Sequence, residues 1–381
     1  MPNSISSRVV RLTPPGRGAI ASLRIESPDV VGLLAPLFCP AGARPLSAYA
    51  LDRIVFGTFR LGSHPGEEVV VSRRTPEAVE LHCHGGRAAV ARIEEALAER
   101  GCPAVSWQAW VAERHGHSIV VAARIALAAA RTARTAAILL DQHNGALGRA
   151  ATEIDRWLCA GEAARAAEGL ALLLSRAGVG RHLVEPWRVV LAGPPNVGKS
   201  SLINALVGYA RAIVDPRAGT TRDVVSAATA IEGWPVALSD TAGLRESGRA
   251  LERAGIELAR RRVASADLLL LVFDLSRPWS SEQHALVEAH PRALIVLNKC
   301  DLPPRPDSRR PDGPVVSALT GQGLDRLTAA IARHLVGDPP PPGAAVPFTP
   351  DQIEALEVAA AAVARGDLEA ARGSVRRLSN R

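Results

Sequence analysis

Lysine is almost missing from this 381-residue sequence: it occurs only at Lys199 and Lys299, and the rest of the 45 Lys+Arg are arginine. A planar guanidinium replaces an ammonium readily on a solvated surface. The two positions that keep the compact ammonium therefore stand out as places where its shape matters. Cysteine is sparse as well. Cys39, Cys83, Cys102, Cys159 and Cys300 form an odd, scattered set with no C-x-x-C pair, which suits neither a disulfide framework nor a zinc knuckle and reads as reduced thiols. No uninterrupted apolar run is long enough to cross a bilayer. Met1-Pro2-Asn3-Ser4 lacks the charged-then-apolar pattern of a secretory signal, so the expected compartment is the cytosol, with no membrane partner.

What is present is enough chain for two or three domains, each able to bury an apolar core. The formal charge of +7 suits a polyanion such as RNA, and equally suits solvated arginine faces. Residues 1–112 mix short apolar runs (Val9–Leu12, Ala19–Ile25, Val69–Ser72, Ala78–His82) with Pro/Gly punctuation, the pattern of an α+β domain. Within 113–185, Ser118 to Gly178 is rich in Ala and Leu and broken near Asn144-Gly145, which predicts two or more packed helices. Over 186–337, Trp187–Ala192 reads as a short strand entering a Gly-rich turn, and strands then alternate with helices to about Val336, as in an α/β domain. In the last segment, 338–381, Pro339 to Pro342 form a stiff spacer. Thr349-Pro350-Asp351-Gln352 then combines an N-cap, a first-position Pro and a Gln three residues after the cap, predicting a helix over about 350–365. The sequence holds no internal repeat.

Gly193-Pro194-Pro195-Asn196-Val197-Gly198-Lys199-Ser200 sits between the strand and a helix beginning near Ser201-Leu202-Ile203, the context a phosphate-binding P-loop requires. Glycines let backbone N–H groups converge on phosphates, and the Lys199 ammonium reaches the β- and γ-phosphates. Ser200 offers a hydroxyl to Mg²⁺. Asp240-Thr241-Ala242-Gly243 follows the strand-like Val236–Ser239, placing a carboxylate where it can hold Mg²⁺ through water, with the Gly243 N–H toward the γ-phosphate. Asn298-Lys299-Cys300-Asp301 closes the apolar run Leu294–Leu297. Asp301 can accept from the two adjacent donors on the Watson–Crick edge of guanine, a pair that adenine lacks, so the expected nucleotide is GTP. The alkyl stem of Lys299 suits packing along that nucleotide. Ser317-Ala318-Leu319, after a strand expected at Pro314–Val316, lies where a backbone N–H would support the base carbonyl.

Gly219-Thr220-Thr221-Arg222-Asp223 suits a switch loop whose Thr221 coordinates Mg²⁺ while the γ-phosphate is present. Leu244 follows the Asp240–Gly243 turn and cannot orient a water, so hydrolysis needs another group. Glu252 could act as a base through a bridging water, or be a solvated helix carboxylate. Asn196 could give a carbonyl oxygen to a monovalent cation, or Arg222, Arg245 or Arg253 could serve as an internal finger.

With these motifs the sequence resembles the tRNA modification GTPase family (MnmE, also called TrmE). Thr13-Pro14-Pro15-Gly16-Arg17-Gly18-Ala19-Ile20-Ala21 is similar to the N-terminal signature of the family, and Val79-Glu80-Leu81-His82-Cys83-His84-Gly85-Gly86 to its second. Asp240 to Glu246, continuing through Leu251-Glu252-Arg253-Ala254-Gly255-Ile256-Glu257, is similar to its second switch. The resemblance implies a folate-binding and dimerising N-terminal domain, a central helical bundle and a Ras-like P-loop GTPase domain inserted into that bundle. It implies a nucleotide site of Asn196, Val197, Gly198, Lys199, Ser200, Ser201, Thr220, Thr221, Asp240, Gly243, Asn298, Lys299, Asp301, Ser317 and Ala318. It further implies Mg²⁺ at Ser200, Thr221 and Asp240, K⁺ at Asn196, Gly219 and Thr220, catalysis by Glu252 with Lys199, and contacts of Arg24 and Glu80 with a tetrahydrofolate derivative. The implied activity is GTP hydrolysis coupled to modification of the tRNA wobble uridine, at position 34 of the tRNA, with a flavoprotein partner of the MnmG kind and a homodimer through the N-terminal domain.

Two departures accompany the resemblance. The Arg-Pro-Gly-Glu-Phe and Asn-Gly-Lys-Leu-Asp segments of the family have no counterpart in Val105–Val120. No cysteine follows Cys300, where the family ends in Cys-x-Gly-Lys, which predicts a shortened member and keeps a second reading open, a GTP-driven RNA-binding switch or assembly factor without the modification chemistry. His82-Cys83-His84 is expected to alternate across a strand and to be structural rather than a metal site.

Overall fold

The computed structural model describes residues 6–14, 16, 18–42, 44–62, 64–116, 118–209, 226–240, 261 and 263–379. The chain forms two compact units, one built on Met1–Gly116 and the other on His117–Pro216 with Thr220–Arg381.

In the first unit the described strands are β1 (Arg8–Arg11), β2 (Ile20–Glu26), β3 (Phe38–Pro40), β4 (Ile54–Leu61), β5 (His64–Thr75), β6 (Ala78–His84) and β7 (Ala104–Val105). They pair in the order β3-β4-β5-β6-β2-β1-β7. Strand alternation sorts their side chains. Along β2, Ala21, Leu23 and Ile25 are fully buried, which sends Ser22 and Arg24 to the opposite face. Register sets Arg24 opposite Glu80 on β6 and Arg8 opposite Glu26 on β2. Helix α2 (Arg87–Ala98; α1 is Val30–Leu34) presses Val90, Ile93 and Leu97 into the same core, an i, i+3, i+7 stripe.

Two elements of this unit lie outside the sequence expectations. Strand β4 carries apolar side chains on both faces, Val55 and Phe59 inward but Ile54 and Phe56 outward, so it shows no clean alternation. Helix α3 (Trp107–His115) is capped by Ser106, whose side chain accepts from the Ala109 N–H. Its weak amphipathicity hides it in the sequence, since Val111 is its only described core residue.

The second unit contains a five-stranded sheet among the described residues, β8 (Trp187–Ala192), β9 (Ser226–Ile231), β10 (Trp234–Asp240), β11 (Leu268–Asp274) and β12 (Leu294–Asn298), ordered β12-β11-β8-β10-β9. Strand β8 runs parallel to both neighbours, and only β9 is antiparallel, through a hairpin to β10. The chain leaves β8 and returns to either side of it, which opens a crevice at the carboxyl ends of the strands. The expected strand at 314–316 is instead a single bridge, with the Leu297 N–H donating to the Pro314 carbonyl and the Val316 N–H to the Leu297 carbonyl. Pro314 has no N–H to extend the ladder.

Helices α4 (Ile119–Ala129), α5 (Ala133–His143), α6 (Ala146–Cys159), α7 (Ala163–Ser175) and α8 (Ala177–Arg181) precede the sheet, and α9 (Lys199–Tyr209), α10 (Ser281–Ala289) and α11 (Leu324–Val336) lie between and after its strands. The break at Asn144-Gly145 is present, with Gly145 left-handed at φ 88°. Helix α12 (Pro350–Ala364) starts at the expected capping box, Thr349 with Gln352. It is followed by α13 (Leu368–Ser379), a second helix beyond the one expected over about 350–365. Only Ala371, Val375 and Leu378 of α13 enter the core, and Arg372 and Arg376 both reach Asp155 of α6 at 3.2 Å. A narrow stripe in a basic segment is a faint signal. Helices α4–α9 and α11–α13 share one apolar core with the sheet, while α10 packs on a second cluster of Leu271, Phe273, Trp279, Ile295 and Leu297. Fully buried Gln142 of α5 donates to the Ala344 carbonyl and accepts from the Val346 N–H, fastening the segment after the proline spacer. Among the described residues no helix is long and apolar enough to cross a membrane.

Candidate nucleotide-binding site

Four strands of the second unit end at one edge of the sheet, on Ala192, Asp240, Asp274 and Asn298. The Gly-rich turn leaves β8 and enters α9 at Lys199. Gly193 has φ +141° and a Cβ there would lie 2.2 Å from the Val272 carbonyl oxygen. At Gly198, φ is +93° and a Cβ would lie 2.5 Å from Nδ2 of Asn298. Both positions therefore exclude a side chain. Asn196 is exposed and left-handed at φ 60°, a conformation that asparagine tolerates better than most residues.

Lys199 is 6% exposed and donates from Nζ to the carbonyls of Gly193 at 3.1 Å and Pro194 at 2.8 Å. Its ammonium is thus curled beneath the loop that is expected to wrap the phosphates. Ser200, at the start of α9, donates from Oγ to Oδ2 of buried Asp240 at 2.9 Å. A hydroxyl oxygen and a carboxylate converging beside a helix N-terminus are a donor set of the kind that Mg²⁺ takes alongside phosphate oxygens. Val197 is buried, and Ser201 is exposed on the first turn of α9.

The second half of the site is built on the end of β12. Asn298, 1% exposed, donates from Nδ2 to the Val197 carbonyl at 2.9 Å and accepts at Oδ1 from the Ala318 N–H at 3.0 Å. It braces the P-loop against the 317–318 turn. Ser317 donates from Oγ to Oδ1 of Asp301 at 2.5 Å and accepts from the N–H groups of Leu319 and Thr320. The carboxylate expected to read guanine is therefore held by a buried serine.

Lys299 is left-handed at φ 66°, a strain on the order of 1 kcal/mol for a non-glycine residue. Its Nζ donates to the Asn196 carbonyl and to Oδ2 of Asp274, each at 2.8 Å. Asp274 did not emerge from the sequence. It is 4% exposed and its Oδ1 accepts from both the N–H and the hydroxyl of Ser276. Burial pushes its carboxyl up, but the hydrogen bonds from Lys299 and Ser276 outweigh burial and hold it below the ordinary aspartate range. An aspartate closing an apolar strand was its one available signal.

Gly219, Thr220, Thr221, Gly243 and Glu252, together with Arg222, Arg245 and Arg253, lie outside the described residues. The structure brings together Asn196, Val197, Gly198, Lys199, Ser200 and Asp240 in one cluster around the Gly-rich turn, and Asn298, Lys299, Asp301, Ser317 and Ala318 in a second at the end of β12.

In the first unit Arg24 and Glu80 meet, with Nη1 of Arg24 3.5 Å from Oε1 of Glu80, yet both have other partners. Arg24 Nε donates to Oε1 of Glu26 at 2.7 Å, and Arg74 Nε donates to Oε2 of Glu80 at 2.8 Å. Trp110 lies against the guanidinium groups of Arg24 and Arg114, at 5.6 and 5.0 Å from its ring centroid, and donates from Nε1 to Glu26. Arg8 completes the cluster, paired with Glu26 and Glu113. Burial pushes the Glu26 carboxyl up, but hydrogen bonds from Arg24, Trp110 and Arg8 outweigh it and leave the group below the usual glutamate range. On β6, His82 hydrogen-bonds Ser22, Cys83 is buried and His84 hydrogen-bonds Glu67. The alternation is as expected, and no group of three or more His, Cys, Asp and Glu suited to a metal occurs among the described residues.

A family model described as 50S ribosome-binding GTPase matches residues 188–299. A protein of Xanthomonas campestris pv. campestris named tRNA modification GTPase MnmE is 46% identical over 171 residues, 44% of this chain and 38% of that protein, so the chain matches well under half the length of that relative. Another of the same name, from Chloroflexus aurantiacus, is 34% identical over 367 residues, covering 85% of this chain and 80% of the relative. Among solved structures, a variant of Era from Aquifex aeolicus bound to GDP.AlF4- is 27% identical, covering 46% of this chain and 66% of that one, with a TM-score of 0.31.

Proposed function

The chain belongs to the tRNA modification GTPase (MnmE) family, and from that premise we propose that it hydrolyses GTP with Mg²⁺, is stimulated by K⁺, and couples turnover to modification of the wobble uridine of tRNA. One observation carries the reading: a phosphate-side cluster around Lys199, Ser200 and Asp240 and a base-side cluster around Asn298, Lys299 and Asp301 sit at the same sheet edge, joined by the bond from Asn298 to the Val197 carbonyl. The P-loop amides and the α9 N-terminus bind the phosphates, and Lys199 exchanges its bonds to the Gly193 and Pro194 carbonyls for phosphate oxygens. Asp301, held by Ser317, accepts from the guanine edge. Ser200 and Asp240 would hold Mg²⁺ with Thr221, and Asn196 would hold K⁺ with Gly219 and Thr220. The two cations supply charge neutralisation on the phosphates when bound. Glu252 is assigned as the base acting on water.

Expected partners are tRNA, for which the +7 charge is suited, a flavoprotein of the MnmG kind, and a second copy through the first unit. The test is hydrolysis in KCl against NaCl, in the wild type and Glu252→Ala: K⁺-dependent turnover that collapses in the variant supports the assignment. Turnover indifferent to both changes removes it.

Arg24 and Glu80 do not fit a folate as placed, because each is already paired and Trp110 covers the Arg24 guanidinium; no step is derived through folate. That closure favours the second reading, a GTP-driven RNA-binding switch or assembly factor without one-carbon chemistry, to which the ribosome-binding description of the matched family also lends support. Mass spectrometry of wobble uridines in a deletion strain separates the two. Unchanged nucleosides leave only the switch.

A further inference from the structure

We propose that Asp274 is a positioning residue that ties recognition of the base to the cation-facing side of the P-loop, acting through Lys299. The inference rests on the assignment of Asn196 to K⁺ made above.

Asp274 belongs to neither the P-loop nor the Asn298–Asp301 motif, yet it stands between them, at the end of the strand that separates β8 from β12. Three donors converge on its two oxygens: Lys299 Nζ on Oδ2, and the N–H and hydroxyl of Ser276 on Oδ1. Arg277 Nε also lies 3.5 Å from Oδ2, but its side chain is 64% exposed, so it is a rim contact and not a substitute anchor. The other acceptor of the Lys299 ammonium is the carbonyl of Asn196. A tetrahedral ammonium can aim two protons along diverging directions from one stem. Fixed at Asp274, it holds the Asn196 peptide from behind.

The backbone of Asn196 decides where its side chain points, because a left-handed residue that relaxes to the right-handed region swings its Cβ to another direction. Without Asp274 the ammonium keeps one anchor and, being 29% exposed, can turn toward water. The Asn196 peptide then loses its restraint. Asp301 cannot take over, since its described bond is to Ser317 and not to Lys299. Removing Asp274 should thus act on cation use, at a residue that touches neither the cation nor the phosphates.

The test measures GTP hydrolysis against KCl at saturating Mg²⁺, with choline chloride holding ionic strength, in the wild type, Asp274→Asn and Asp274→Ala. The near-isosteric amide offers an acceptor at one of the two oxygen positions only, so it loosens the cluster while keeping its volume. The half-activating K⁺ concentration is expected to rise about fivefold or more in the Asn variant and further in the Ala variant, with the half-saturating Mg²⁺ unmoved. A merely structural role would lower turnover at every K⁺ concentration and leave the midpoint in place, which overturns the proposal. If the Ala variant does not fold, the Asn variant decides. A wild type indifferent to K⁺ removes the Asn196 assignment and this inference with it; a responsive wild type with an unshifted Asn variant removes this inference alone.

Discussion

Lys299 donates its ammonium to the backbone carbonyl of Asn196 at 2.8 Å across 103 positions of sequence. Its companion Lys199 donates to two carbonyls of the same loop, those of Gly193 and Pro194. The only two lysines of the chain thus both hold the P-loop through diverging N–H bonds, a geometry that a flat guanidinium does not reproduce. This accounts physically for the residue type at both positions.

Replacing Lys299 by Arg keeps the charge and loses the geometry. Affinity for GDP, measured by isothermal titration, is expected to fall about tenfold or more. An affinity within about twofold of the wild type would show that charge alone suffices at this position.

Asn298→Ala removes both bonds of the brace and leaves the Val197 carbonyl and the Ala318 N–H without that partner. One buried and one half-buried polar group left without that partner cost about 2–4 kcal/mol. The loss should appear in urea unfolding of the nucleotide-free protein, before any ligand is added. An unshifted midpoint in that form would contradict the bracing role and confine Asn298 to the base.

Glu26 makes the first unit acid-sensitive. Its carboxyl has a folded-state pKa below the ordinary value of 4.5, so its contribution is fully present above that value and is lost as pH falls through the lower folded one. Glu26→Gln should flatten the pH dependence of stability below about 4.5. At neutral pH it should cost about 3 kcal/mol, because Arg8 and Arg24 lose their shared partner. Unfolding curves at a series of pH values check both statements, and parallel pH profiles for wild type and variant would refute the first.

Trp110 reports on its own site. With its ring against Arg24 and its Nε1 on Glu26, 5-formyltetrahydrofolate should give no saturable change in tryptophan fluorescence or in dialysis. Trp110→Ala, which uncovers the Arg24 guanidinium, is expected to gain affinity. Tight binding by the wild type would mean that the ring moves aside readily.

The parts legible in the sequence are those whose chemistry is local. Gly193 to Ser200, Asp240 and Asn298 to Asp301 declare themselves by residue type and by the strand each follows. The break at Asn144-Gly145 and the Thr349–Gln352 cap are equally local, and both are present. Asp274 was silent because its meaning depends on Lys299, 25 positions away. Helix α13 was silent because three core side chains among arginines make a weak period, and its counterion, Asp155, lies 217 positions from Arg372. Trp110 belongs to the same class, since its partner Glu26 is 84 positions distant.

The bond from Asn298 to the Val197 carbonyl spans 101 positions, and that separation has a consequence during synthesis. The glycine-rich turn leaves the ribosome well before its strut, by about 5–20 s at ordinary elongation rates. Until β12 emerges, the nascent chain holds this loop without the Asn298 brace on the Val197 carbonyl. Nucleotide in the surrounding fluid can therefore favour only a chain long enough to include that strand, and from then on it draws the sheet closed by mass action.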